Sequence, residues 1–337
     1  MAKLDTQDNR VQNSFFLERI KASQFVLVGE QHGIQEAGQV TNYIFRLAHP
    51  LGYDYLCLET DSLAARYLER FSRELSHDST IQKALGLHAK HPFAIPFYAN
   101  YSAYNLFRNV MRGTRNDELP RIWGIDQMYF LEWGLAFSHL LESTTDADTK
   151  AQAKTWIEQT EVGVEEASAL ILYKYNETTH QNLVALYADK KEKRLLELLW
   201  KSREYNHAMF QGERHRSSYL RAGVMKENFT NYYNHALRAG ALPKAVFKMG
   251  YDHLGKGRNG SNVYDIGNFA AELACYSKLN SFHIQVKGLN GYENHHGPFS
   301  PAARSEFDNL EDLPEEIQSF TLPFKSQACS LCPNAPH

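Results

Sequence analysis

The sequence predicts an α/β fold: a central, mostly parallel sheet flanked by helices, with a large helical insertion. Three observations predict it. Short apolar runs recur at wide intervals, and each runs into an acid or a histidine. FVLV leads into Gly29-Glu30-Gln31-His32, YLCL into Glu59, IWGI into Asp126 and AVFKMGY into Asp252-His253. The first two runs are separated by a segment of helical period, the β-α-β pattern that makes strands parallel with a right-handed crossover. Between about 131 and 240 no strand pattern recurs, and helical patterns fill the interval. Open α/β sheets bind ligands at the carboxyl ends of their strands, so the acids and histidines that end these runs are expected to meet at one edge.

Taken in order, residues 24–29 read as a buried strand closed by Gly29. Ala37, Val40, Ile44, Leu47 and Ala48 then fall on one helical face over 34–48, His49-Pro50 stops that helix and Gly52 turns the chain back. Residues 53–58 form the second strand. Leu63, Ala64, Tyr67, Leu68 and Phe71 stripe the helix after Glu59, and another helix is expected over 98–112. Asn116-Asp117 marks a turn before the third strand at 121–126. KKEKRLLELLW at 190–200 mixes charge and leucine as an amphipathic helix does. A last helix of the block spans 213–238, with Leu220, Val224, Met225, Phe229, Tyr232 and Ala236 as its stripe, and Gly240 and Pro243 lead into the fourth strand at 244–250. A helix near 263–279 precedes a fifth strand at 282–287. The chain therefore divides into a first half of the α/β core (1–130), a helical insertion or lid (131–240), the second half of the core (241–290) and a tail (291–337).

Composition sets bounds. A formal net charge of −3 over 337 residues gives no electrostatic footprint for nucleic acid. No apolar run reaches the roughly 20 residues of a membrane helix, and the amino terminus lacks the basic-then-apolar design of a signal peptide. A cytoplasmic protein acting on a small-molecule or peptide substrate is the expectation. Cys57 and Cys275 read as buried thiols. Cys329 and Cys332 form a C-x-x-C without the second ligand pair that structural zinc requires, and read as part of a loose tail.

Glu30 and His32 are two apart in an extended segment and so project to one side. Such a pair suits metal ligation or general-base activation of water, with the carboxylate orienting the imidazole, or else a helix cap with a hydrogen-bonded histidine. Glu59 and Asp126 at strand ends must be solvated, paired, metal-bound or capping, because an unpaired buried carboxylate costs several kcal/mol. Tyr251, Asp252 and His253 open a glycine-rich turn suited to close approach of a ligand. Lys256 stands between Gly255 and Gly257 with no Ser or Thr after it, so the turn is not a Walker phosphate cradle. Arg221 shares a helix face with Met225, Asn228 and Tyr232 and either pairs with a strand-end acid or binds an anionic group. His295-His296 follow the fifth strand and can reach the same edge, whereas His77, His88 and His91 read as surface residues.

In this order, Gly29-Glu30-Gln31-His32, Glu59 after the second strand, Arg221 on a late helix and Gly250-Tyr251-Asp252-His253-Leu254 resemble the erythromycin esterase / ChaN-like / Tiki–TraB superfamily. The resemblance covers sparse motifs over about 24–290. It implies an α/β core with helical insertions and a site containing Glu30, His32, Glu59, Arg221 and His253. Asp126, Tyr251 and Asp252, at the same strand ends, are expected to face the substrate. Erythromycin esterase-like members imply a soluble hydrolase that activates water on a histidine base without metal. Tiki-like members imply a metal-dependent peptidase, with Glu30, His32 and His253 holding a divalent ion. ChaN-like members imply haem or another large ligand held between Tyr251, His32 and the insertion. The two-residue spacing of Glu30 and His32 is closer to ChaN and Tiki–TraB, and Glu36, four after His32, is closer to the esterases.

Overall fold

A computed structural model of the chain describes residues 10–74, 98, 101–112, 119–159, 169–187 and 190–287, with isolated residues between 82 and 95 and short segments at 2–3, 292–293, 297–298 and 320–321. The Asn116-Asp117 turn, His77, His88, His295-His296 and the Cys329/Cys332 pair lie outside the described residues.

The five expected strands form one sheet: β1 (Ser23–Glu30), β2 (Tyr53–Leu58), β3 (Ile122–Gly124), β4 (Lys244–Gly250) and β5 (Asn280–Val286). All neighbouring pairs are parallel, in the order β3-β2-β4-β1-β5. β4 thus lies between β1 and β2, which do not touch each other. β1 is buried along its whole length, as a strand covered on both faces must be.

Alternation along the strands divides the core. Val26, Val28, Leu56, Leu58 and Val246 face one layer, where α1 (Arg10–Lys21), α2 (Gln35–Ala48), α3 (Ser62–Glu74) and α4 (Tyr101–Met111) pack. Phe25, Leu27, Tyr55, Cys57, Phe247 and Met249 face the other, under a long helix and α11 (Ile266–Tyr276). In α2, Ala37, Val40, Ile44 and Ala48 are buried as their spacing predicts, and Gly52 turns the chain at φ 86°.

From Trp133 to Arg238 the described chain is helical: α5 (Trp133–Ser143), α6 (Ala147–Glu158), α7 (Ala169–Lys174), α8 (Glu177–Leu186), α9 (Lys190–Phe210) and α10 (Arg214–Arg238). Trp133, Phe137, Tyr175, Leu183, Leu196 and Leu199 belong to the same apolar cluster as Val26 and Leu58, so these helices extend the core of the sheet. α10 is the long helix of the opposite face. Met225, Phe229, Tyr233 and Ala236 lie on the sheet, and Tyr232 stacks on Trp123 at 5.6 Å.

Four boundaries and one burial differ from expectation. The helix expected over 98–112 is α4, which begins at Tyr101. β3 stops at Gly124 because Ile125 and Asp126 bend toward the loop after β2, where the Ile125 amide donates to Leu58 O and the Asp126 amide to Thr60 O. β5 begins two residues early, the Asn280 amide bonding Ala22 O at 3.0 Å. α11 starts at Ile266 because Asp265 accepts the Ile266 amide as its cap. Cys275 is exposed: Ile266, Ala270 and Ala274 define the buried stripe of α11, and the next residue is rotated about 100° from it.

Candidate active site

The strand ends converge. Glu30 closes β1, Glu59 follows β2, Asp126 follows β3, and Gly250 closes β4 ahead of a single turn, Tyr251–His253. Parallel registration brings Glu30 level with Gly250. Glycine is required at two of these places by close approach. A Cβ on Gly29 would stand 2.9 Å from Tyr251 Cα, and one on Gly250 would stand 2.9 Å from His32 Nε2 and 3.3 Å from Glu59 Oε2.

Glu59 is the hub. One oxygen accepts the Gly250 amide at 2.6 Å and lies 3.4 Å from His32 Nε2. The other accepts from Arg221 Nη2 at 2.6 Å and lies 3.4 Å from His253 Nε2. Each imidazole has its own second acid: His32 Nδ1 is 3.2 Å from Glu30 Oε1, and His253 Nδ1 is 2.8 Å from Asp265 Oδ2. The five side chains read Glu30–His32–Glu59–His253–Asp265, with the histidines about 220 residues apart in sequence. Arg221 also donates from Nε and Nη2 to the two oxygens of Asp126, at 3.0 and 2.5 Å. Asn228, about two turns further along α10, donates to Ile125 O and so fixes the backbone that carries Asp126.

Three groups not anticipated from the sequence, Lys248, Tyr98 and Asp265, complete the network. Lys248, buried in β4, donates to Glu30 Oε2 at 2.5 Å, and its ammonium lies 4.7 Å from the Tyr98 ring centroid. The Tyr98 hydroxyl donates to Lys248 O and accepts the Glu59 amide, both at 2.9 Å. The visible signal for Lys248 was one charge inside the apolar run AVFKMG. Asp265 shows in the sequence as a cap before a helix, with nothing to mark it as the partner of a histidine twelve residues earlier.

Electrostatics follow from burial and pairing. Burial raises Glu30, but Lys248 and His32 more than reverse this and hold it below its ordinary value. Burial would likewise raise Glu59, yet His253 and Arg221 keep it well below the carboxylate range. Burial disfavours charge on His32, and the Glu30 and Glu59 carboxylates outweigh it, lifting His32 to about 9. His253 rises to about 10, burial and Arg221 being outweighed by Glu59 and Asp265. The resting site at neutral pH is a balanced set of carboxylates, imidazolium, ammonium and guanidinium groups. His32 is the member most open to solvent, its side chain 31% exposed against 16% for His253. Tyr251 and Asp252 stand at the exposed rim, with Lys287 Nζ 4.9 Å from the Tyr251 ring centroid.

The trio Glu30, His32 and His253 does not fit a metal ion. Lys248 occupies one Glu30 oxygen and His32 the other. Among the described residues no group of three or more His, Cys, Asp or Glu could hold an ion.

Two solved structures share this architecture. One is a histidine-to-asparagine variant of the erythromycin esterase EreC in its open conformation, with a TM-score of 0.55 and 13% identity over 82% of this chain and 73% of that one. The chain has the erythromycin esterase fold. The second, a protein from Bacillus cereus, aligns with a TM-score of 0.54 and 13% identity over 89% of this chain and 77% of that one. No protein-family model matches the sequence, and no curated protein matches it closely. At this identity the likeness to the erythromycin esterase shows the fold alone. Among the described residues no helix is long and apolar enough to cross a membrane.

Proposed function

We propose that the chain is a hydrolase that activates water against an ester, lactone or amide carbonyl. The observation that carries this reading is the sharing of one buried carboxylate, Glu59, by two imidazoles from opposite ends of the chain at the carboxyl edge of the sheet. In it, His32 accepts the proton of the attacking water. Glu30 and Glu59 orient the ring and stabilise the imidazolium that forms, and that imidazolium then protonates the leaving oxygen or nitrogen. Arg221 and His253, on the far side of Glu59, donate to the oxyanion developing on the former carbonyl. Asp126 and Asp265 hold those two donors in place. Tyr251 and Asp252 contact substrate at the rim.

A pKa near 9 leaves roughly one His32 in thirty neutral at pH 7.5. General-base assistance is worth about 10²–10⁴-fold, so that fraction still sustains catalysis, and the rate is expected to climb as pH approaches 9.

The helical block 131–240 serves as the cover of the site, with 1–130 and 241–290 supplying the sheet. Supporting this, Tyr205 of α9 lies 5.9 Å from the Arg221 guanidinium, and Asn206 is bonded to Gln127 beside Asp126. The test is hydrolysis by the full chain of p-nitrophenyl esters, simple lactones and anilides across pH 6–10. The expected result is turnover that rises on an ionisation near 9 and falls at least about 100-fold in His32→Gln. Turnover no faster than buffer on every substrate, or an undiminished rate in His32→Gln, overturns the reading.

A further inference from the structure

The turn that carries His253 is short, and what fixes it comes from outside it. Asp265 grips the imidazole at 2.8 Å, and the first turn of α11 presses on the next residue, where a Cβ on Gly267 would stand 2.5 Å from Leu254 Cα. Leu254 is itself buried among the apolar residues beneath α10 and α11. The third hold is polar. His283 on β5 lies level with Leu27, on the same face, and its Nδ1 is 2.7 Å from the Leu254 carbonyl oxygen. Its Nε2 is 2.8 Å from Ser281 Oγ.

A carbonyl oxygen only accepts, so Nδ1 carries the ring proton. Burial and Lys256 lower His283 to about 4, so it is neutral at working pH, and Nε2 accepts from the Ser281 hydroxyl. One tautomer is thus defined by two contacts, and the hydrogen bond it makes does not change with pH above about 5. A partly buried imidazole on an edge strand has no packing advantage over a β-branched or aromatic residue. What it supplies is a directed N–H to the backbone next to His253.

We infer that His283 is a positioning residue: its Nδ1–H holds the Leu254 carbonyl and thereby sets where the His253 imidazole stands against Glu59. The effect on rate rests on the hydrolase reading; the effect on His253 does not. Three variants of the full chain separate the possibilities. Asparagine places its amide nitrogen where Nδ1 was, glutamine places it where Nε2 was, and phenylalanine keeps ring bulk with no donor. The expected result is a fall in kcat of at least about tenfold in His283→Phe and His283→Gln, with KM within about twofold, and recovery in His283→Asn. The Asp265-bonded Nδ1–H of His253, followed as a downfield proton resonance, should be lost or displaced in His283→Phe and restored in His283→Asn. A His253 resonance unchanged in a folded His283→Phe, or restored by Gln and not Asn, overturns the inference. Should His283→Phe fail to fold, the Asn and Gln pair decides alone. Should the parent chain hydrolyse none of the substrates, the hydrolase reading falls and the resonance still decides this one.

Discussion

Removing the Lys248 ammonium leaves Glu30 buried with His32 as its remaining counter-charge. Breaking a buried ion pair from one side typically costs about 3–5 kcal/mol, and replacing both partners often costs little. Lys248→Met is therefore expected to lower unfolding stability in urea by about that amount, with much of it regained in Lys248→Met/Glu30→Gln. Gly250→Ala tests the close approach. The backbone at Gly250 sits at φ −52°, open to any residue, so the new Cβ acts by displacing His32 from Glu59. We expect a loss of stability of about 1–3 kcal/mol beside a fall in hydrolysis of at least about tenfold, read from melting curves and rates on the same preparation. At this scale the sequence was legible where chemistry and punctuation coincide. Glu30, His32, Glu59 and His253 each follow an apolar run. Arg221 lay between two readings: its bonds to Glu59 and Asp126 show the pairing with strand-end acids, and donation to an anionic group belongs to the proposal. Lys248 and Asp265 stayed hidden because their roles depend on partners 218 and 12 residues away.

Between elements, a second acid cluster joins the sheet edge to the helical block. Asp61 Oδ1 caps α3 by accepting the Leu63 and Ala64 amides. Burial raises Asp61, an effect those amides and Glu132 oppose, while burial and the Asp61 carboxylate raise Glu132 well above the usual range. Of the two carboxyls Glu132 is the one held further toward the protonated form, and its interaction with Asp61 joins the residues just before α3 to those just before α5. A carboxyl raised in the folded state stabilises least at high pH: its contribution is full below about 4.5 and declines as pH rises toward the folded value. Glu132→Gln keeps a donor and removes that slope, so the variant should unfold at a higher temperature than the parent at pH 8 and at a similar one at pH 4.5. A parent-like melting temperature at pH 8 would count against a protonated Glu132. The elements themselves were the most readable part of the chain. α2 and α10 advertise one apolar stripe each, and every strand of the sheet was anticipated. Their ends were less so, because the end of β3 is set by bonds to the loop after β2 and the start of α11 by a side-chain cap.

For the molecule as a whole, the site network makes stability depend on pH. His32 and His253 are raised from 6.5 to about 9 and about 10, so they stabilise fully below about 6.5 and progressively less as pH climbs through 9–10. Glu30 and Glu59 are lowered from 4.5, so they stabilise fully above that value and progressively less as pH falls through their folded values. Thermal stability is expected to be greatest between about pH 5 and 6.5 and to decline on the alkaline side, measured by calorimetry in buffers of matched ionic strength. His32→Gln should flatten that alkaline decline. The fold class was legible because a β-α-β start and widely spaced apolar runs admit few architectures, whereas strand order was not: nothing local says that β4 enters between β1 and β2. That placement has a consequence for biosynthesis. The chain leaves the ribosome with two of its most apolar segments, Ser23–Glu30 and Tyr53–Leu58, lacking their common neighbour until about 190 further residues have been made. At about 5–20 residues per second, they wait on the order of 10–40 s with open hydrogen-bonding edges, the condition under which unpaired strands aggregate.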